Sequence, residues 1–241
     1  MMMDPGLAAI TLNNKGTQHL RNQNYTKAIA FFRNAVIKAN FLLQKLQDSQ
    51  LCSISDANTS PPPRQSNEAL TLETILLESD EVDDSYPSQY SFETDESLLC
   101  KSAFVIHHDH ELSYLSVTSL SLLSMCAIYN LAIAHHLSGL RLRSRQYICK
   151  AKQFYEIAYQ LQEQRLFETK VLPCVCVLNN LAAICRQLGD LKRSNEVLRE
   201  LLAVMEHLDC IGYKLRQCYW GVCWRNLLSL SLGKPRTAAA A

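Results

Sequence analysis

Glycine and proline are scarce, seven of each in 241 residues, and so few turn-formers argue against a turn-rich all-β fold. Positive and negative charges nearly cancel, to a formal +1, which removes any global basic field for nucleic acid. No run of about 18 apolar residues marks a membrane helix, and the start, Met1 to Ile10, lacks the basic stretch and apolar core of a secretory signal. There is no glycine-rich phosphate loop, no His-Glu-x-x-His and no Gly-x-Ser-x-Gly. A non-enzyme with no cofactor and no metal is therefore expected. The ten cysteines stand singly along helical patterns, without the paired Cys-x-x-Cys of structural zinc sites. They read as reduced, buried thiols of a cytoplasmic, or nuclear, protein.

What charge there is falls unevenly. Between Leu51 and Cys100 eleven Asp and Glu face one Arg, and both flanks are basic. The same stretch holds Pro61-Pro62-Pro63 and scattered Ser and Thr, so residues 49–103 read as a disordered acidic insertion. Inside it, Glu68 to Glu78 forms an apolar island expected to be a short or transient helix.

The rest is helical in pattern. Asp4-Pro5 starts a helix to about Arg21, and Asn22-Gln23-Asn24 turns it into a second helix from Tyr25 to about Gln47. After the insertion a long helix is expected from Asp109 or His110 to Leu142, then one from Arg145 to Gln162 capped by Ser144. A further helix from near Thr169, with Pro173 in or near its first turn, stops at Gly189. Asp190 caps the next, to about Leu208, and a last runs from about Lys214 to Leu232. These boundaries give a first hairpin at residues 4–48, two more plus a terminal helix at 104–232, and a frayed tail at 233–241.

An internal repeat organises the helices. Asn14, Asn130, Asn180 and Asn226 are each followed two residues on by Gly16, Ala132, Ala182 and Leu228. Ala28, Phe32 and Ala35 follow Asn14 at the spacings by which Ser194, Leu198 and Leu201 follow Asn180. Ala151, Tyr155 and Ala158 match if the helix of Asn130 is seven residues longer, nearly two turns, which keeps the buried face in phase.

With Gly16, Ala28, Phe32, Ala35 and the Gly189-Asp190-Leu191 turn, the pattern resembles the tetratricopeptide (TPR) family. Leu178-Asn179-Asn180-Leu181-Ala182 is most similar to the long-helix repeats of kinesin light chains. Departures are the long spacing between asparagines, Ser194 and Leu201 in place of alanines, and the missing closing prolines. The resemblance implies an all-α solenoid of antiparallel helical hairpins. It further implies an adaptor that binds an extended peptide segment of another protein in its groove.

By that resemblance Asn14, Asn130, Asn180 and Asn226, with Asn13 and Asn179 beside them, are the peptide-binding candidates. An amide offers one donor and one acceptor to a peptide bond, whatever its side chain. The bland alternative is that they cap or bridge helices. Arg21, Arg186, Arg225 and His136 fall near the same face and suit an acidic ligand. The acidic segment reads as a linker, or else as an internal competitor lying in the groove. RNA binding is the runner-up function, disfavoured because no helix face is strongly basic. His107-His108-Asp109-His110 reads as a solvated helix start, and Arg141 to Arg145 as a helix end. A homodimer through an exposed solenoid end, near Ile211, Tyr219 and Trp220, is the remaining partner expectation.

Overall fold

The computed structural model describes residues 5–54, 70–77, 98–108, 115–163 and 171–232. The acidic run from Glu78 to Asp84, most of the insertion, His110 and the 233–241 tail lie outside them. The described residues are mostly helical, in seven helices: α1 (Pro5–Arg21), α2 (Tyr25–Ile54), α3 (Val117–Arg141), α4 (Arg145–Glu163), α5 (Val171–Gln187), α6 (Leu191–Cys210) and α7 (Gln217–Leu232). Two strands, β1 (Thr71–Leu76) and β2 (Ser102–His107), pair antiparallel.

Three tight turns close the hairpins α1–α2, α3–α4 and α5–α6 by one device. A residue in the left-handed region ends each first helix: Gln23 (φ 55°), Arg143 (φ 47°) and Gly189 (φ 82°). The next residue then donates its N–H back to a carbonyl of the last helical turn, as Asn24 does to His19, Ser144 to Gly139 and Asp190 to Cys185. These bonds satisfy carbonyls that a helix end otherwise leaves bare. A side-chain cap opens two of the second helices: Asn24 Oδ1 accepts from Lys27 N and Asp190 Oδ1 from Arg193 N. Gly212 (φ 68°) ends α6 in the same way before α7.

The chain forms two compact units: residues 1–80 with 101–169, and 81–100 with 170–241. In the first, α1, α2, α3 and α4 pack in sequence and the β-hairpin lies against α1 and α3. The core is filled by the repeat positions themselves: Ala28, Phe32 and Ala35 of α2, and Ala151, Tyr155 and Ala158 of α4, are all buried. Gly16 is required where α1 meets α2, since a Cβ there would lie 2.5 Å from Phe32 Cε1. In the second unit α5, α6 and α7 pack on one another, with Ser194, Leu198 and Leu201 buried.

Three expectations need correction. The island inside residues 68–78 is strand β1, because its odd and even residues split between the two edges and faces of a hairpin. Helix α3 starts at Val117, not at Asp109 or His110; Ser116, whose Oγ accepts from Ser119 N at 3.0 Å, is its cap. The residues ahead of it at 102–107 are β2. Tyr219 turns into the core instead of facing outward, while Trp224 and Leu228 are exposed. Helix α3 is also long and apolar enough to cross a membrane, but 78% of its most apolar window is buried inside the fold, as befits a core helix.

Candidate functional site: two asparagine clasps on the chain's own backbone

In the first unit the amides of α1 and α3 close on strand β2. Asn14 takes both backbone groups of Ile106: Ile106 N–H donates to Oδ1 at 3.0 Å and Nδ2 donates to the carbonyl at 2.8 Å. Asn130 does the same to Phe104, at 2.8 Å in each direction. Asn13 Nδ2 adds a bond to the Phe104 carbonyl at 2.9 Å, and its Oδ1 accepts from Asn130 Nδ2 at 2.9 Å. Asn13 Nδ2 also lies 3.2 Å from Asn14 Oδ1, which ties the three amides together.

The second unit repeats this with other residues. Asn180 takes both backbone groups of Cys100, the N–H at 2.8 Å and the carbonyl at 3.2 Å. Asn179 and Asn226 both donate to the Leu98 carbonyl, at 2.9 and 2.8 Å. Asn226 Nδ2 donates to Asn179 Oδ1 at 2.8 Å, and Asn179 Nδ2 lies 3.2 Å from Asn180 Oδ1. Each clasp thus has an asparagine doublet on one helix, α1 or α5, and a single asparagine two helices later, on α3 or α7. Each holds two residues spaced by two, the later helix taking the earlier residue.

In β2 that spacing follows from strand geometry; in the second clasp Leu98 lies in a 3-10 turn and Leu99 in a bend, so the same spacing is held on backbone that is not a strand. The N–H and C=O of one residue share an edge, and alternate residues face opposite edges. Phe104 and Ile106 present the edge that the amides cover. The odd residues of β2 therefore face β1, in the register Thr71–His107, Glu73–Val105 and Ile75–Ala103. The bond from Leu77 N–H to the Lys101 carbonyl, 2.9 Å, has the same parity. So β2 has a hydrogen-bonded strand on one side and a row of side-chain amides on the other. Its side chains are equally enclosed. Ala103, Phe104, Val105 and Ile106 are buried, with the Phe104 ring 4.9 Å from that of Tyr129.

All six asparagines singled out in the sequence therefore lie in the two clasps, and their ligand is the chain's own backbone between Leu98 and Ile106. The internal occupant is apolar and follows the acidic run. The other candidates lie elsewhere. His136 is buried with its ring edge-on to Tyr155, 5.9 Å between centroids. Arg186, in the last turn of α5, is half-buried, and its pKa is lowered by that burial. Arg225 is exposed beside Asn226, and Arg21 is exposed at the end of α1.

His135 stacks on Phe154 at 5.4 Å, and burial, then the charges of Lys150 and Arg33, lower its pKa to about 4. It is a neutral packing group at physiological pH. The thiol of Cys100 is held well above its usual range, first by its hydrogen bond with Cys176; that of Cys223 is raised by its bond with Cys100 and by burial. Thiols kept protonated are poor nucleophiles and poor metal ligands. No group of three His, Cys, Asp or Glu placed to hold a metal ion occurs among the described residues. His107 pairs at 2.9 Å with Glu73 across the hairpin.

Ala103 to Ile106, between Ser102 and His107, is a short, continuous apolar run with β-branched Val105 and Ile106, the composition of a strand buried on both faces. Comparison with protein-family models, with curated proteins and with solved structures found no match for this chain.

Proposed function

We propose that the chain is a non-catalytic protein-interaction module of TPR-like hairpins, an adaptor that takes an extended segment of a partner as a further strand on β1. The observation that carries this is the edge chemistry of the β-hairpin. Its β2 side is closed by asparagines, whereas the outward groups of β1, those of Leu72 and Thr74, have no strand beside them among the described residues. Such a row of N–H and C=O groups accepts a strand by main-chain hydrogen bonding, with little demand on sequence.

Magnitudes favour this edge over the asparagines as the partner's entry point. A partner reaching Asn14 and Asn130 has to expel β2, which buries Phe104, Val105 and Ile106. Full burial of three such side chains contributes roughly 5–9 kcal/mol. The resident strand is also tethered at both ends, at an effective concentration on the order of millimolar. An incoming peptide offers the same backbone groups without those advantages. In this reading the asparagines hold the strand that presents β1, and the partner's segment pairs with β1 itself.

Parity supplies the test. Thr74 faces outward in the register, so Thr74→Pro removes an outward N–H and leaves the β1–β2 bonds in place. A pull-down with mass spectrometry, run beside a thermal melt, is expected to lose its specific partners for Thr74→Pro while the melt stays within a few degrees of the parent. A folded Thr74→Pro protein that retains every partner overturns the reading.

A further inference from the structure

In the first helix of each hairpin, the residues six before, two before and two after the clasp asparagine form one stripe, at i, i+4 and i+8. In α3 the stripe is Ser124, Ile128 and Ala132, and in α5 it is Cys174, Leu178 and Ala182; all six are buried. Contacts within the hairpins show what covers it. Gly16, the matching residue of α1, lies against the ring of Phe32 in α2. Ala182 gives its carbonyl to Ser194 Oγ of α6 at 2.8 Å. At these positions the cover is the hairpin's own second helix, whereas Ser124, at the start of the α3 stripe, donates its Oγ to Asn40 Oδ1 of α2 at 2.8 Å.

In α7 the same three positions are Trp220, Trp224 and Leu228. Trp224 is 38% exposed and Leu228 57% exposed, whereas Tyr219, Cys223, Asn226 and Leu227 of the same helix are buried. The indole of Trp220 meets that of Trp224 edge-on at 5.8 Å. The surface that in α3 and α5 receives an antiparallel helix is left partly exposed on α7, at Trp224 and Leu228 with Trp220 half-buried, and it carries the only two tryptophans of the chain.

We propose that this stripe docks the α7 helix of a second copy of the chain, packed antiparallel about a twofold axis near Trp224. A twofold axis across a helix delivers an antiparallel neighbour, the arrangement the other hairpins already use. The stripe is self-complementary under that operation: Trp220 of one copy faces Leu228 of the other, and the two Trp224 rings meet at the centre. Arg225 is the only charged residue in α7. Self-association therefore opposes one pair of like charges beside the stripe, where solvent screens them. A partner recognised through charge would find little to read.

Sixteen residues of α7 give a contact about 24 Å long. One helix pair of that length buries less than the roughly 1,200 Å² total of a standard interface, so the association is weak and concentration-dependent.

Sedimentation velocity of the whole chain between about 2 and 200 µM tests this, with tryptophan emission recorded on the same samples. The expected result is a shift from monomer to dimer with rising concentration, together with a blue shift of the emission as the indoles leave water. Leu228→Glu keeps an exposed helical site helical and is expected to leave only monomer. Ile37→Glu, at an exposed apolar residue of α2, is expected to dimerise like the parent. A chain that stays monomeric throughout, or a dimer that persists unchanged in Leu228→Glu, overturns the proposal.

Discussion

Replacing Asn130 by alanine isolates the energetic role of one clasp. The side chain is fully buried and makes three bonds: it accepts from Phe104 N–H and donates to the Phe104 carbonyl and to Asn13 Oδ1. After truncation the Phe104 carbonyl still has Asn13 Nδ2 at 2.9 Å. The Phe104 N–H loses its clasp acceptor and Asn13 Oδ1 loses this donor, both away from solvent. A buried polar group left unpaired costs about 1–3 kcal/mol, so a loss of about 2–4 kcal/mol is expected. Asn14→Ala breaks a similar pair of bonds to Ile106, but at a half-exposed site that water can enter, and about 1 kcal/mol is expected there. Urea unfolding followed by far-UV circular dichroism gives both numbers. Hydrogen exchange at Phe104 and Ile106 tells whether the strand opens locally before the helices do. Asn130→Asp adds a sign test. Its carboxylate can accept from Phe104 N–H but meets the Phe104 carbonyl and Asn13 Oδ1 without a proton, so burial raises its pKa above the unfolded value of about 3.9. That variant is most stable below the unfolded pKa and loses stability as pH rises through its folded pKa. The alanine variant has no such dependence. A cost under about 0.5 kcal/mol for Asn130→Ala, or one equal to that of Asn14→Ala, refutes the clasp as a buried, energetically significant unit.

Two further outcomes follow from the core. His135, with its pKa lowered to about 4 chiefly by burial, binds fewer protons folded than unfolded. Its contribution to stability is therefore complete above about pH 6.5 and is lost as pH falls toward 4. The urea midpoint of His135→Phe is expected to fall less than that of the parent between pH 7 and pH 4.5, and parallel curves contradict this. Gly16→Ala sets two effects against each other. Helix propensity favours alanine by about 1 kcal/mol, while the Cβ must displace the buried Phe32 ring, and overpacking of that kind costs about 1–3 kcal/mol. A net loss is expected, relieved when Phe32→Leu is added; a net gain shows that the ring yields freely.

The helices were legible because their signals are local. Gly189, Asp190, Ser144 and Asn22 to Asn24 mark turns by the chemistry of one or two residues, and the spacing from each clasp asparagine to the next helix's core residues survives any change of surface. The nine repeat positions from Ala28 to Leu201 are all buried. Strand β1 was not legible because its partner is far away in sequence, and the apolar, β-branched run of β2 marks a strand without showing what it pairs with. Thr71 to Leu76 alternates in a way that serves a helix turn or a strand until the pairing with residues 102–107 decides it. Phe104 meets Asn130 across 26 residues and Asn13 across 91. An amide that reads backbone puts no mark on the sequence it reads, so nothing in residues 98–106 announces the contact.

What the sequence does carry is the difference between doublets and single asparagines, and the clasps explain it. Two rungs on the edge of β2 are two residues apart, about 6.6 Å, whereas packed helices stand about 8–10 Å apart. One asparagine on each of two helices therefore falls short of spanning both the strand and the gap between the amides. The extra residue of each doublet supplies the span. Asn13 bonds the Phe104 carbonyl on the strand and Asn130 on α3, and Asn179 bonds the Leu98 carbonyl and Asn226 of α7. The other member of each doublet, Asn14 or Asn180, is then free to take both backbone groups of its own residue. A doublet followed by a single asparagine two helices later thus suits the strand edge of β2, and the second clasp repeats the same residue pattern on backbone that is not a strand. Asn13-Asn14 with Asn130, and Asn179-Asn180 with Asn226, are its two instances in this chain.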